Sequence, residues 1–214
     1  MQRKKRVIVG LLVACGVWYA GLAGAQEAEP VPQPVPQPVP TLIHVVLHTT
    51  LGDIQLALEK DRAPVTVNNF LHYVDLKRYD GSDFYRAVKL DEEGNYGLVQ
   101  GGLRGNPKRV FKPIAHEAPS ATGLSHLGGA ISMARGAPGT ATADFFIVVG
   151  DLKSLDGKAE GDDPGYAVFG RVIDGMDVVR QMLDLPRAAD AGEGAMKGQM
   201  IASPVKITSV RRTD

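Results

Sequence analysis

The sequence predicts a mainly β protein, a closed eight-stranded antiparallel β-barrel capped by two α-helices. About eight short segments alternate apolar with polar residues between turn residues, which is the pattern of strands with one buried face. Only two segments carry apolar residues at helical spacing. A βαβ fold needs a helix between most strands, so a closed antiparallel barrel fits the sequence better.

The first two predicted strands span residues 42–50 and 53–59, and a Leu-Gly pair between them favours a hairpin. The first helix begins near Pro64, which a first helical turn tolerates, and apolar residues follow at positions 67, 70, 71 and 74. The second helix is expected to begin with Asp174 as its N-cap. The other strand candidates lie near residues 83, 97, 128, 145 and 166 and at the end of the chain.

The first 25 residues have the order of a cleaved secretory signal, with four basic residues at positions 3–6, an apolar run, and small residues at positions 23–25. We expect cleavage before Gln26 and export, with the periplasm as the destination. A retained membrane anchor is less favoured because glycines interrupt the apolar run. A lipid anchor on Cys15 is the other alternative, since residues 12–15 (LVAC) resemble a bacterial lipoprotein signal.

Residues 26–40 are dense in proline and favour an extended polyproline II linker that cannot build a core. The globular domain is therefore expected over residues 41–214. Cleavage of residues 1–25 removes four basic groups from a balanced 24 and 24, which leaves 20 Lys and Arg against 24 Asp and Glu, a net charge of −4. This charge argues against nucleic acid as a partner.

Motifs for nucleophilic, nucleotide or metal chemistry are missing from the sequence. Residues 123–127 (GLSHL) lack the second glycine of a nucleophile elbow, and residues 101–105 (GGLRG) match no phosphate loop or dinucleotide fingerprint. His44 and His48 lie four residues apart on a strand, about 13 Å, which is too far to share one ion. The acidic residues 156–163 carry a lysine at the third position of what would be a calcium loop. We therefore expect no metal and no cofactor.

The motifs that remain are residues 84–88 (FYRAV), residues 98–102 (LVQGG), and residues 132–135 (SMAR) followed by residues 144–147 (DFFI). In this order they resemble the cyclophilins, and further matching pieces extend the resemblance over residues 44–210. The family implies an eight-stranded barrel with two helices and the activity of a peptidyl-prolyl cis-trans isomerase.

The resemblance also implies a role for each candidate site residue. Arg86 matches the catalytic arginine, while Gln100 and the backbone of Ala134 would hold the main chain of the substrate. The proline ring would bind in an apolar pocket formed by Phe146, Leu98, Leu155 and Tyr166.

This chemistry explains why a nucleophile and a metal are dispensable. Rotation about an X-Pro bond has a barrier of about 18–20 kcal/mol, because the nitrogen lone pair is delocalised into the carbonyl. No bond is made or broken, so the site only has to favour the twisted amide over both planar forms. In the twisted state the nitrogen is basic, and the guanidinium of Arg86 can donate a hydrogen bond that the planar amide cannot accept.

The sequence departs from the family at four places. Tyr85 replaces a histidine beside the arginine, and Asp144 replaces a glutamine and could compete for the guanidinium. An insertion, residues 90–96 (LDEEGNY), puts Gly97 where a pocket phenylalanine usually stands. Ser154 stands in place of the tryptophan of many cyclosporin-sensitive members, which predicts weak or no cyclosporin binding.

We expect the partners to be proline-containing polypeptides, acted on during the folding of exported proteins, and the enzyme to be a monomer. The alternative is a cyclophilin-like module that binds proline segments without turnover, because of the changes at Gly97 and Asp144. Retention of Arg86, Gln100 and Phe146 favours the enzyme, since a binding module does not need the guanidinium.

Overall fold

The structure, a computed structural model, describes residues 41–158 and 162–213 of the chain. The predicted signal, the proline-dense linker and Cys15 lie outside the described residues. The strands are β1 (Leu42–Thr49), β2 (Gly52–Glu59), β3 (Ser82–Lys89), β4 (Gly97–Gly102), β5 (Ala130–Met133), β6 (Phe145–Val149), β7 (Val168–Asp174), β8 (Arg187–Ala188) and β9 (Met200–Arg212).

Eight of these strands close into an antiparallel barrel, which confirms the predicted fold. The strands lie side by side in the order β1-β2-β7-β5-β6-β4-β3-β9-β8, and β1 also pairs with β9. That last pairing closes the barrel, while β8 is a two-residue strand that pairs only with β9 in the described part of the chain. The predicted β1–β2 hairpin is present, with Thr49 paired to Gly52 at its turn.

The two predicted helices are α1 (Pro64–Asp75) and α3 (Met176–Asp184), and a four-residue helix, α2 (Pro119–Thr122), lies between them in sequence. The apolar face of α1 is buried in the core as its spacing predicts. None of the helices in the described part has the length and apolar character that crossing a membrane requires.

Asp174 does not cap α3, contrary to the prediction. It is still part of the β-ladder as the last residue of β7, paired with Gln55 of β2, and its carboxylate accepts a hydrogen bond of 3.0 Å from that side chain. The N-cap is Gly175, whose φ of 88° is in the left-handed region. A Cβ atom there would lie 2.2 Å from the carbonyl oxygen of Asp53, so only glycine fits where the chain leaves the sheet.

Aromatic side chains fill the barrel. Phe145 meets the rings of Phe70, Tyr79 and Phe84 edge-on, at centroid distances of 5.6 to 5.7 Å. Successive strand residues point to opposite faces, so Phe145 belongs to this core while Phe146, its neighbour in β6, faces outward. The packed interior gives β3, β4 and β6 a rigid support for the side chains on their outer face.

Candidate active site

A cleft of about 810 Å³ runs across the outer face of β3, β4 and β6. The segment after β5, a 3-10 turn at Lys153–Asp156, and the segment that precedes β9 complete its walls. The cleft brings together all nine candidate residues of the sequence, which are Tyr85, Arg86, Leu98, Gln100, Ala134, Asp144, Phe146, Leu155 and Tyr166.

The strand register places the central residues in one row. Arg86 of β3 pairs with Gln100 of β4, and Gln100 pairs in turn with Phe146 of β6. Neighbouring strands lie about 4.8 Å apart, so the guanidinium-bearing residue is two strand spacings from the aromatic ring. The sheet therefore supports a charged donor and an apolar surface at a fixed separation.

A β-bulge brings Tyr85 and Arg86 to the same face. Phe84 pairs with Gly101 and Arg86 pairs with Gln100, which leaves Tyr85 as an extra residue in β3. A regular strand would send these two adjacent side chains to opposite faces. Because of the bulge both line the cleft, while the Phe84 side chain stays in the core.

The guanidinium of Arg86 is held by two neutral amides. Nη1 donates to Oε1 of Gln100 at 2.7 Å, and Nε and Nη2 donate to Oε1 of Gln199 at 2.8 and 2.6 Å. Burial lowers the pKa of Arg86, although the group stays cationic at any physiological pH. Three of the five N–H groups are used in this way, which leaves two for a substrate.

Gln100 is fixed at both ends of its amide. Its Oε1 accepts from Arg86, and its Nε2 donates to the hydroxyl of Tyr85 at 2.8 Å. The guanidinium of Arg104 lies 4.6 Å from the centroid of the Tyr85 ring, and burial is the main cause that raises the pKa of this tyrosine. Tyr85 therefore stays neutral, and one N–H of the Gln100 amide remains for a substrate carbonyl.

An apolar pocket lies beside this row, with Phe146 as its floor. Phe146 is 4% exposed, and Tyr166 meets it edge-on at a centroid distance of 5.4 Å. The guanidinium of Arg135, which also lines the cleft, lies 4.7 Å from the Tyr166 centroid and donates to the carbonyl of Gly165, so it holds the tyrosine ring in place. Leu98 and Leu155 are partly buried and complete the pocket.

Ala134 lines the cleft directly after the end of β5. Its N–H donates to the carbonyl of Asp144 at 2.8 Å. Since that donor is used within the protein, the carbonyl of Ala134 is the group that can hold an N–H of a substrate main chain.

Asp144 does not compete for Arg86. Its two carboxylate oxygens accept the backbone N–H groups of Arg104 and Gly105 at 2.8 and 3.0 Å. Desolvation raises the pKa of Asp144, and these backbone hydrogen bonds oppose the shift. The carboxylate anchors the chain that follows β4, so the expected competition for the guanidinium is absent among the described contacts.

Ser132, His126 and Asp156 have the connectivity of a hydrolase triad. His126 Nδ1 lies 2.6 Å from the Asp156 carboxylate, and Nε2 lies 2.9 Å from the hydroxyl of Ser132. An ionised carboxylate can only accept, so Nδ1 carries the proton and Nε2 accepts from the serine. Ser132 and His126 are both 0% exposed, so no substrate reaches the hydroxyl and the triad is structural.

The comparison with known protein families agrees with this geometry. Residues 44–212 match the family described as cyclophilin type peptidyl-prolyl cis-trans isomerase/CLD. The chain belongs to this family. A peptidyl-prolyl cis-trans isomerase of Acinetobacter baylyi is 37% identical over 166 residues, which cover 76% of this chain and 81% of the relative.

One more sequence relative and one solved structure are similar to this cyclophilin domain. Peptidyl-prolyl cis-trans isomerase B of Escherichia coli is 37% identical over 167 residues, which cover 76% of this chain and 94% of the relative. The crystal structure of a cyclophilin type isomerase from Cryptosporidium parvum superposes with a TM-score of 0.61 at 21% identity, covering 81% of this chain and 99% of that chain. At this identity, the similarity to the solved structure supports the fold alone.

The insertion in this cyclophilin domain does not leave a hole in the cleft at Gly97. A Cβ atom on Gly97 would lie 2.4 Å from the carbonyl oxygen of Val88 and 3.0 Å from Leu183, so this residue faces the strand partner and α3. Tyr96 is 48% exposed and packs against Gly150. Neither residue lines the cleft as the described residues form it, so Tyr96 does not replace the usual pocket ring.

Several residues that line the cyclophilin cleft carry no signal in the sequence. Leu90 is the first residue of the insertion, Met196 comes from the segment before β9, and Met200 is the first residue of β9. Gln199 touches Arg86 from 113 residues away along the chain. Such contacts depend on the pairing of β3 with β9, which no local pattern specifies.

Proposed function

We propose that this cyclophilin domain accelerates cis/trans rotation about X-Pro bonds in polypeptides. The observation that carries the proposal is the guanidinium of Arg86, which is fixed by neutral amides beside an apolar pocket with Phe146 at its floor. The apolar pocket can bind the proline ring, and the guanidinium can donate a hydrogen bond to the amide nitrogen, whose lone pair becomes available as the bond twists.

The catalytic step is differential binding of the twisted amide. The proline ring lies against Phe146 and loses contact with water, which holds one side of the bond. As the amide twists, its nitrogen becomes pyramidal, and a free N–H of Arg86 donates to the developing lone pair. The planar amide offers no such acceptor, so the hydrogen bond lowers the barrier instead of tightening the ground state.

Proline-containing chains are the proposed substrates. The Cryptosporidium parvum isomerase was also crystallised in the presence of the dipeptide Ala-Pro, which supports this substrate class. The groups that face the cleft from Gln100 and Ala134 can hydrogen-bond to a substrate main chain, and main-chain contacts do not select a sequence. We propose a monomer that accepts many X-Pro segments and has no nucleic acid partner.

The proposed site of action is the periplasm, where the domain would assist the folding of exported proteins. The order of basic, apolar and small residues over positions 1–25 supports export. N-terminal sequencing of the protein from a periplasmic fraction tests this, and Gln26 is the expected first residue. A lipidated Cys15 at the N-terminus would support the lipoprotein alternative.

The test of the activity compares the purified protein with an Arg86→Ala variant on a short proline peptide. We expect the wild type to accelerate exchange and Arg86→Ala to lose about 10²-fold in kcat/KM, which is about 2.7 kcal/mol of barrier. Arg171→Ala is the matched control, because Arg171 pairs with Glu59 on the far strands and does not line the cleft formed by the described residues. If neither wild type nor variant accelerates exchange while both bind the peptide, the domain is a binding module.

A further inference from the structure

Gln199 reaches Arg86 from outside the substrate cleft. Its Oε1 accepts from both Nε and Nη2 of the guanidinium. Among the described residues, Gln199 is not one of those that line the cleft of Arg86 and Phe146. It lines a separate cavity of about 380 Å³, together with Lys89 and Arg187. Gln199 therefore acts on the guanidinium without touching a substrate in the cleft.

The main chain fixes the position of Gln199. Its carbonyl accepts the N–H of Ala87, the residue after Arg86, at 3.0 Å, and its own N–H donates to the carbonyl of Met196 at 3.1 Å. Met200, the next residue, pairs with Arg86 across the β3–β9 ladder. Arg86 and Gln199 are therefore linked by backbone as well as by side chain, so the amide oxygen has little freedom to leave the guanidinium.

The contact controls the direction of the guanidinium. Nε and Nη2 form one edge of the planar group, and Gln199 occupies this edge while Gln100 accepts from Nη1. The two N–H groups that remain lie on Nη1 and Nη2. With the plane held at two edges, these N–H groups keep one orientation toward the cleft.

The two groups that accept hydrogen bonds from the guanidinium of Arg86 are neutral. Among the residues that the structure describes, no carboxylate is hydrogen-bonded or ion-paired to Arg86, and both of its acceptors are amide oxygens. A carboxylate would bind the guanidinium more strongly and would cancel much of its charge. An amide orients the group and leaves the positive charge for the amide nitrogen of the substrate.

We propose that Gln199 is a positioning residue for catalysis. It orients the guanidinium of Arg86 through Nε and Nη2, and because its amide is neutral it does not neutralise the positive charge of the guanidinium. This inference rests on the proposed isomerase function. It predicts that Gln199 affects the rate of the twisted-amide step and has little effect on the binding of substrate.

The first experiment measures kcat and KM of the purified protein carrying Gln199→Met or Gln199→Glu. Methionine has a similar length and no comparable acceptor, and glutamate keeps the acceptor but adds a charge. We expect kcat to fall about tenfold in both variants, which is about 1.4 kcal/mol of barrier, with KM within twofold of wild type. A Gln199→Glu variant with wild-type kcat would overturn the neutral-acceptor proposal.

The second experiment asks whether Gln199 acts through Arg86. In an Arg86→Ala background, Gln199→Met should change kcat/KM by less than twofold, because the group that it positions is gone. A further tenfold loss in that background would mean an independent effect and would overturn the proposal. Gln55→Met is the matched control, since Gln55 bonds Asp174 on the exposed surface of β2.

A third readout is independent of activity. The Hε signal of Arg86 in a nitrogen-proton NMR spectrum should exchange with water at least tenfold faster in Gln199→Met than in wild type, because Nε loses its acceptor. An unchanged exchange rate would overturn the proposal even if the activity falls. A wild-type protein without isomerase activity but with this protected signal would overturn the proposed function and keep the structural contact.

Discussion

The imidazole ring of His126 lies parallel to the phenyl ring of Phe146, with centroids 5.8 Å apart and an angle of 7° between the planes. His126 is fully buried and bonded to Asp156 and Ser132, so it supports the floor of the proline pocket from below. The pocket floor therefore depends on a buried histidine, and burial disfavours the charged form of its ring.

Acid should destabilise the protein through His126. Burial lowers the pKa of His126 below its usual 6.5, and the hydrogen bond to Asp156 opposes this shift. The unfolded chain then binds more protons than the folded chain just below pH 6.5, so the free energy of unfolding falls as the pH drops from about 6.5 toward the folded pKa. Burial raises the pKa of Asp156, but the hydrogen bonds from Ser125 and His126 together lower it below its usual 3.8, so the stabilisation from this carboxylate is lost only below about pH 3.8.

Urea unfolding of wild type and His126→Gln at pH 7.5, 6.5 and 5.5 checks this prediction. The variant should be less stable at pH 7.5 and should show a flatter dependence on pH between 6.5 and 5.5. Equal urea m values in both proteins serve as the control. A variant with the slope of the wild type would assign the acid sensitivity to another group.

Phe146→Ala should reduce kcat/KM by about 10- to 100-fold, because the proline ring loses the apolar surface that covers it, worth about 1.4–2.7 kcal/mol. Phe111→Ala is the control, since Phe111 packs on Tyr73 and Arg78 and lines no part of the cleft in the described structure. The measurement is the rate of peptide isomerisation by each variant, divided by the concentration of folded protein. Equal losses in the two variants would attribute the effect to general destabilisation.

Gly97→Ala should destabilise the fold by about 1–3 kcal/mol, because its methyl group would overlap the carbonyl of Val88 and press on Leu183. Gly128→Ala is the matched control, as the nearest atoms to a Cβ there are 3.7 Å away. Chemical denaturation measures both. If Gly97→Ala unfolds at the same urea concentration as Gly128→Ala, the close approach of β3 to β4 is more adaptable than its geometry suggests.

Cyclosporin should bind with a dissociation constant above about 1 µM, which means a binding free energy weaker than about −8 kcal/mol. Ser154 is exposed on the cleft wall where many cyclosporin-sensitive relatives carry tryptophan, so a large apolar contact is lost. Isothermal titration with wild type and Ser154→Trp measures this contribution, and the tryptophan should tighten binding at least tenfold. A submicromolar constant for the wild type would contradict the prediction.

Local sequence patterns were enough for much of the fold. Alternation over residues 42–59 and helical spacing after Pro64 predict β1, β2 and α1, because side-chain periodicity follows directly from backbone geometry. The cap of α3 was predicted wrongly, since Asp174 is retained by its pairing with Gln55. A pairing partner 119 residues away overrides a local preference for capping.

The sequence by itself determined the barrel, the family and nine of the residues that converge on the cleft, because short motifs and periodicity are local properties of the chain. Only the tertiary structure decided how those residues act. The bulge at Tyr85 and the contact of Gln199 with Arg86 arise where β3 pairs with β4 and β9, and the support of Phe146 by His126 comes from the segment that precedes β5. Strand register joins residues far apart in sequence, and it is fixed by the packing of the whole core.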